Sequence, residues 1–180
     1  MPIGILGNVD APSDDVAGDE RSPARWPARL VYLTALVVVV ADQAAKLAAV
    51  QWLRGADSVA VTSWLSLTWA TNTGGAFGVL DSNTGLLAAV AVVVVVTLAV
   101  VGPRLGGDRM LALAIAAVMG GAVGNLIDRV RLGYVIDYID LHFWPIFNIA
   151  DIALTVGAGL FIIATILGRP HPPDSGEDSD

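Results

Sequence analysis

The chain has 180 residues, of which 55% are hydrophobic and only 15% charged, and its mean hydropathy is +0.68. Soluble domains carry about 25% charged residues, so this composition excludes an ordinary soluble fold. The lack of cysteine excludes disulfides, thiol nucleophiles, Cys-zinc sites and iron–sulfur clusters, and a net charge of −7 argues against nucleic acid as a partner.

In chain order, residues 1–28 are acidic and rich in Pro, Ser and Gly, and read as a disordered cytoplasmic tail rather than a signal peptide. Leu30 to Leu53 forms the first span, long enough for a hydrocarbon core of about 30 Å. Residues 58–70, SVAVTSWLSLTWA, alternate polar with apolar and predict short strands at the interface, with Trp64 and Trp69 as anchors. Ser82 to Pro103 is a charge-free second span. Its many valines do not make it a strand, because a lone strand in lipid leaves its backbone unsatisfied. Met110 to Ile127 is the third span, and Ile152 to Gly168 the fourth. Between them, residues 131–147 are aromatic and amphipathic, which suits an interfacial helix or loop, with Gly133 as a candidate hinge. Residues 169–180 form a second acidic tail. The expected fold is an all-α membrane protein of four transmembrane helices, spanning residues 29–168, with a small extracytoplasmic β-cradle.

Orientation follows from bases near the span ends. Arg21, Arg25, Arg29, Arg104, Arg109 and Arg169 lie on one side; Lys46, Arg54, Arg129 and Arg131 lie on the other. Both termini are therefore expected in the cytoplasm, with segments 54–81 and 130–147 outside.

Ionisable groups inside spans are costly and mark functional sites by default. Asp42 and Lys46, four apart, share one helix face and can pair. Asn125, Asp128 and Arg129 cluster at the outer end of the third span, after a close-packing stripe of Gly120, Gly121 and Gly124. If Asp42 pairs with Lys46 and Asp128 with Arg129, only Arg131 is left near Asp137 and Asp151. Two carboxylates without counter-ions fit a proton-sharing dyad that activates water against an amide carbonyl. His142 and His171 lack metal-ligand spacing, so neither a metal nor a cofactor is expected.

Five motifs occur in order: D-Q-A-A-K at 42–46, N-T-G-G-A-F-G at 72–78, G-G-A-V-G-N-L-I-D-R at 120–129, V-I-D-Y-I-D at 135–140 and F-N-I-A-D at 147–151. Together they resemble the lipoprotein signal peptidases (signal peptidase II), aspartic proteases of the bacterial inner membrane, over roughly residues 28–168. The resemblance implies that Asp137 and Asp151 form the catalytic dyad. It implies that Asp42, Lys46, Asn72, Gly74, Asn125, Arg129, Asn148 and Ala150 surround it, binding substrate or holding the cradle and helices. Asp128, in its motif, reads as structural. The implied substrate is a diacylglyceryl-modified prolipoprotein, cut on the amino side of the lipidated cysteine, by a monomer whose other partner is membrane lipid. Gly74, Gly75 and Gly78 either admit a ligand close to the backbone or serve turn geometry. The long N-terminal tail departs from the family core without touching a motif.

Three other readings stay open on the residues alone. One is a Ser–Lys protease using Lys46 with Ser63 or Ser66. Another is a small transporter relaying protons through Asp42, Asp128 and Asp151. The third is an assembly protein in which every charge is helix glue.

Overall fold

A computed structural model describes residues 27–74, 83–105 and 109–167. Of the expected tails, residues 1–26 and 169–180 lie outside the described residues, as do Gly75 and Gly78, while Ala28 already opens α1. The elements in order are α1 (Ala28–Trp52), β1 (Val59–Ala60), β2 (Ser66–Asn72), α2 (Thr84–Leu105), α3 (Arg109–Leu132), β3 (Val135–Asp140) and α4 (Ile149–Leu167). Each of the four helices is long and apolar enough to cross a membrane.

Helices α3 and α4 are longer than the charge-free runs that reveal them. α3 continues past Ile127 to Leu132, carrying Asp128, Arg129 and Arg131 on its last turns, and α4 starts at Ile149 rather than Ile152. Arg side chains at a helix end can extend toward water, so charge does not end the helix there. Gly133 ends α3 instead. Its φ of 80° suits a glycine just past the last helical residue, and its N–H donates to Arg129 O at 3.1 Å.

Helix α3 lies at the centre, packing against α1, α2 and α4. In its most apolar stretch 56% is buried, against 6% for α2, whose valines therefore face outward. The buried face of α3 is built from Ala112, Ala114, Ala116, Gly120, Gly121 and Gly124. Lipid removes the usual hydrophobic drive between helices, so close backbone approach and polar contacts hold them. Gly121 shows how close: a Cβ there would stand 2.5 Å from Ala150 O on α4.

The strands form one antiparallel sheet in the order β1-β2-β3. The alternation in 58–70 thus yields β1 and β2. The segment 131–147, expected as an interfacial helix or loop, divides: residues 131–132 end α3, 133–134 turn, 135–140 are strand β3, and residues 141–147 form a loop. In β3 Val135, Ile136, Asp137 and Tyr138 are all buried, so it lacks the one-sided exposure of an interfacial helix. Ile136 and Tyr138 pack with Ala49 of α1 and Leu53 just after it and against Leu67 and Trp69 of β2, seating the sheet on the helix bundle. Burial of each such large side chain contributes about 1.5–3 kcal/mol.

Candidate active site

Where α1, α3, α4 and β3 meet, side chains that would be costly in lipid bury one another. Lys46 Nζ lies 2.9 Å from Asp42 Oδ2 and 2.9 Å from Asp128 Oδ2. It also donates to Asn125 Oδ1 at 2.9 Å. The Asp42–Lys46 pair expected from the i, i+4 spacing is therefore present. The expected Asp128–Arg129 pair is not. Adjacent helical residues point about 100° apart, so Asp128 turns inward to Lys46 while Arg129 turns elsewhere. Asp128 also accepts the backbone N–H of Ile136 at 3.1 Å, tying the end of α3 to β3. Asp42 Oδ1 accepts the N–H of Ala150 at 2.9 Å, tying α1 to the start of α4.

Gln43 belongs to this hub and sequence reasoning passed over it. Its Nε2 lies within 3.2 Å of Asp42 Oδ2, Gly124 O and Asp128 Oδ1. Its place beside Asp42 inside an apolar span was the available signal.

Asp137 and Asp151 share a second network, built on asparagines. Asn148 Nδ2 donates to Asp137 Oδ1 at 2.6 Å and lies 3.1 Å from Asn125 Oδ1 and 3.2 Å from Ile136 O. Asn72 Nδ2 donates to the other oxygen of Asp137 at 3.0 Å, from the neighbouring strand. Asn125 Nδ2 donates to Asp151 Oδ1 at 2.8 Å. Asp151 Oδ2 accepts the N–H of Asn148 at 3.2 Å, and Asn148 Oδ1 accepts the N–H of Asp151 at 2.9 Å. Gly74 sits in the turn after β2, where its N–H donates to Asn72 Oδ1 at 3.1 Å and fixes that amide.

The two carboxylates differ from Asp42 and Asp128 in having neutral amide donors where those have an ammonium. Burial pushes the Asp137 carboxyl up to about 6, and the nearby negative charge of Asp151 adds to this. Hydrogen bonds from Asn72 and Asn148 oppose the rise without cancelling it. The bases near them are Lys46, whose charge acts on both carboxyls, and Arg129, not Arg131. Arg129 feels the charges of Asp151 and Asp137, whereas Arg131 is exposed. Arg129 Nη1 makes a long 3.5 Å contact with Asn125 O, and its buried Nε has no hydrogen-bond partner among the described residues.

All ten residues singled out by sequence thus fall in one connected region. The Ser–Lys alternative does not assemble. Lys46 is occupied by Asp42, Asp128 and Asn125, Ser63 is exposed, and Ser66 pairs with Thr68 and His142. Beside Asp151 opens a cavity of about 290 Å³ lined by Leu141, Phe143, Trp144, Phe147, Ile152, Thr155 and Val156. Its one charged wall is Asp151.

Four apolar helices enclosing a buried acidic and amide centre, topped by a small sheet, define a compact polytopic membrane protein. The model of the family described as signal peptidase (SPase) II matches residues 34–167, and the chain belongs to that family of membrane proteases. It is 38% identical over 135 residues to the lipoprotein signal peptidase of Halothermothrix orenii, covering 74% of this chain and 93% of the relative. It is 44% identical over 142 residues to that of Pseudomonas putida, covering 72% and 83%. A bacterial membrane enzyme solved by the in meso method at 1.9 Å superposes with a TM-score of 0.72 at 31% identity, over 81% of this chain and 97% of that one.

Proposed function

We propose that residues 29–168 form an intramembrane aspartic endopeptidase that removes signal peptides from diacylglyceryl-modified prolipoproteins, cutting on the amino side of the lipidated cysteine. The observation that carries this reading is the contrast between the two acid pairs. Asp42 and Asp128 share one lysine as their counter-ion, whereas Asp137 and Asp151 are held through Asn148 with no direct ion pair among the contacts described. The names of the relatives supply the substrate class.

Two close carboxyls hold one proton between them. The ionised one takes a proton from water as the water oxygen bonds to the scissile carbonyl carbon, and the other gives its proton to the carbonyl oxygen. As the gem-diol collapses, the C–N bond breaks, the departing nitrogen takes a proton from one carboxyl, and a diol proton returns to the other. A carboxylic acid and an amine result, and the dyad again holds one proton. Arg129, with donors to spare, is placed to bind a substrate carbonyl. Asn72, Asn125 and Asn148 fix the carboxylates, Gly74 fixes Asn72, and Lys46, Asp42 and Ala150 fix the helices.

The excess of bases on the other side of the bundle supports an orientation with both termini cytoplasmic and the dyad near the extracytoplasmic face of the inner membrane. There a lipid-anchored bond can be reached without leaving the bilayer. The enzyme acts as a monomer in contact with lipid.

The test is cleavage of a diacylglyceryl-modified prolipoprotein by purified wild type, Asp137→Asn and Asp151→Asn. Wild type releases signal peptide, and each variant stays folded but loses activity by about 100-fold or more. Cleavage retained by either variant would remove the dyad, and none by wild type would remove the substrate.

A further inference from the structure

Outside the dyad, β2 and the loop after β3 hold a polar cluster that the proposed chemistry does not use. Ser66 Oγ lies 3.0 Å from His142 Nε2, and Ser66 is only 3% exposed. Ser66 Oγ is also 3.3 Å from Thr68 Oγ1, which is 2.7 Å from Ser58 Oγ and donates to Asp140 Oδ2 at 3.4 Å. Asp140 Oδ1 accepts the backbone N–H of His142 at 2.8 Å.

His142 is the one described non-glycine residue with a positive φ, 65°. A residue with a Cβ occupies that region at some cost, so surrounding contacts must hold it there. Two are visible: the Asp140 carboxylate on its N–H and the Ser66 hydroxyl on its ring.

These ties act on a closed loop. Phe147 pairs with Ile139, through Phe147 N–H to Ile139 O at 3.1 Å and Ile139 N–H to Phe147 O at 2.9 Å, so residues 140–146 hang from that bridge. The loop carries Leu141, Phe143 and Trp144, which with Phe147 wall the cavity at Asp151. Phe143 is 78% and Trp144 55% exposed, so burial does little to fix the loop tip. Two described contacts of His142 tie the loop to the sheet, its N–H to the Asp140 carboxylate and its ring to Ser66, and only the second joins side chain to side chain.

We propose that Ser66 and His142 are positioning residues: their hydrogen bond latches the aromatic loop 141–147 against β2 and so shapes the cavity that receives an apolar group of the substrate next to the scissile bond. The occupant follows from Asp151. Any group filling this cavity lies against a carboxylate of the proposed dyad, and the rest of the wall offers alkyl and aromatic surface. Neither residue touches the reacting atoms, so latch loss weakens substrate binding more than turnover.

The kinetic half of this inference rests on the peptidase reading, whereas its structural half does not. The experiment therefore pairs two measurements on the full chain in lipid nanodiscs for wild type, Ser66→Ala, His142→Gly, the double variant and the control Ser63→Ala. His142→Gly removes the ring while relieving the backbone cost, so a folding defect from strain does not confuse it. Hydrogen exchange at residues 141–147 quickens in both single variants and no further in the double one, and is unchanged in Ser63→Ala. With a diacylglyceryl-modified prolipoprotein, KM rises about fivefold, the effect of losing one net hydrogen bond, while kcat stays within about twofold of wild type. Unchanged exchange in the single variants, or strictly additive effects in the double, overturns the latch whether or not the chain cleaves anything. Faster exchange with unchanged KM, or with kcat falling in step, overturns its role in shaping the cavity. If wild type itself does not cleave, the peptidase reading and the cavity role fall together, and exchange alone still decides the latch.

Discussion

Asn148 and Asp151 cap helix α4 reciprocally. The Asn148 side-chain oxygen accepts the Asp151 N–H at 2.9 Å, and the Asp151 carboxylate accepts the Asn148 N–H at 3.2 Å. This is the capping-box arrangement, with Asn at the N-cap and Asp three residues on. The amide nitrogen of the same Asn148 donates to Asp137 at 2.6 Å. One side chain therefore starts the helix that carries Asp151 and orients Asp137 on β3.

That double duty separates two substitutions. Asn148→Ala removes both the cap and the donor, costing about 1 kcal/mol for the cap and a further 1–3 kcal/mol for the buried partners left unmet. Asn148→Asp keeps a capping oxygen but sets a carboxylate against Asp137. The cap it keeps, worth about 1 kcal/mol, is outweighed by an uncompensated buried charge at about 3–5 kcal/mol, so it is expected to be less stable than Asn148→Ala and as inactive. Thermal unfolding alongside a cleavage assay decides; an active Asn148→Asp enzyme would mean that the amide donor is dispensable.

The Asp137 carboxyl, raised to about 6 by burial and by Asp151, gives a signed pH dependence. Its folded pKa exceeds the unfolded value of about 3.9, so the folded state holds its proton more tightly. The resulting stability is complete below about pH 4 and is lost as pH rises through about 6. Asp137→Asn does not titrate. The unfolding temperature of wild type minus that of Asp137→Asn, measured from pH 4 to 8, should therefore fall across this window. A difference that rises with pH would mean that hydrogen bonds and nearby bases outweigh burial and stabilise the carboxylate, against the sign expected here.

The sequence exposes what is local and hides what depends on packing. Long apolar runs, charge-free in α2 to α4 over most of their length, reveal the four helices, because lipid tolerates few charges in a span. The alternation before Trp69 reveals β2. The strand character of Val135–Asp140 is hidden, since only pairing with β2, more than 60 residues away, decides it. The motif residues and the Asp42–Lys46 pair are legible, the latter from i, i+4 spacing. Spacing misassigns Asp128, whose partner Lys46 comes from another helix. His142 looks isolated until the sheet brings Ser66 opposite Asp140.

Close approach of α3 to its neighbours leaves no room for a side chain at Gly124, as at Gly121. A Cβ on Gly124 would stand 2.6 Å from Asp42 Oδ2, a carboxylate already fixed by Lys46 and the Ala150 N–H. Gly124→Ala should cost about 1–3 kcal/mol, as overpacking does, and reduce activity by displacing Asp42. Gly159 on α4 has nothing within 4 Å of such a Cβ, so Gly159→Ala should leave unfolding and cleavage near wild type. Equal behaviour of the two variants would show that α3 can shift away from α1 freely.

Lys46 carries the sharpest energetic expectation. It is 2% exposed and lies 2.9 Å from each of two carboxylates that are themselves buried. Lys46→Met leaves both charges uncompensated, and breaking a buried pair from one side costs about 3–5 kcal/mol. It also removes the ammonium that steadies Asn125, the donor to Asp151, so cleavage should be lost even where folding survives in strong lipid support. Neutralising the whole group, as in the triple variant Asp42→Asn, Asp128→Asn, Lys46→Met, removes the stranded charges while leaving oxygens to accept from Ala150 and Ile136. The triple variant is therefore expected to recover part of the lost stability but none of the activity, read by denaturant titration in detergent and by cleavage. A triple variant less stable than Lys46→Met would show that Asp42 and Asp128 shed their charge by taking up protons once the lysine is gone.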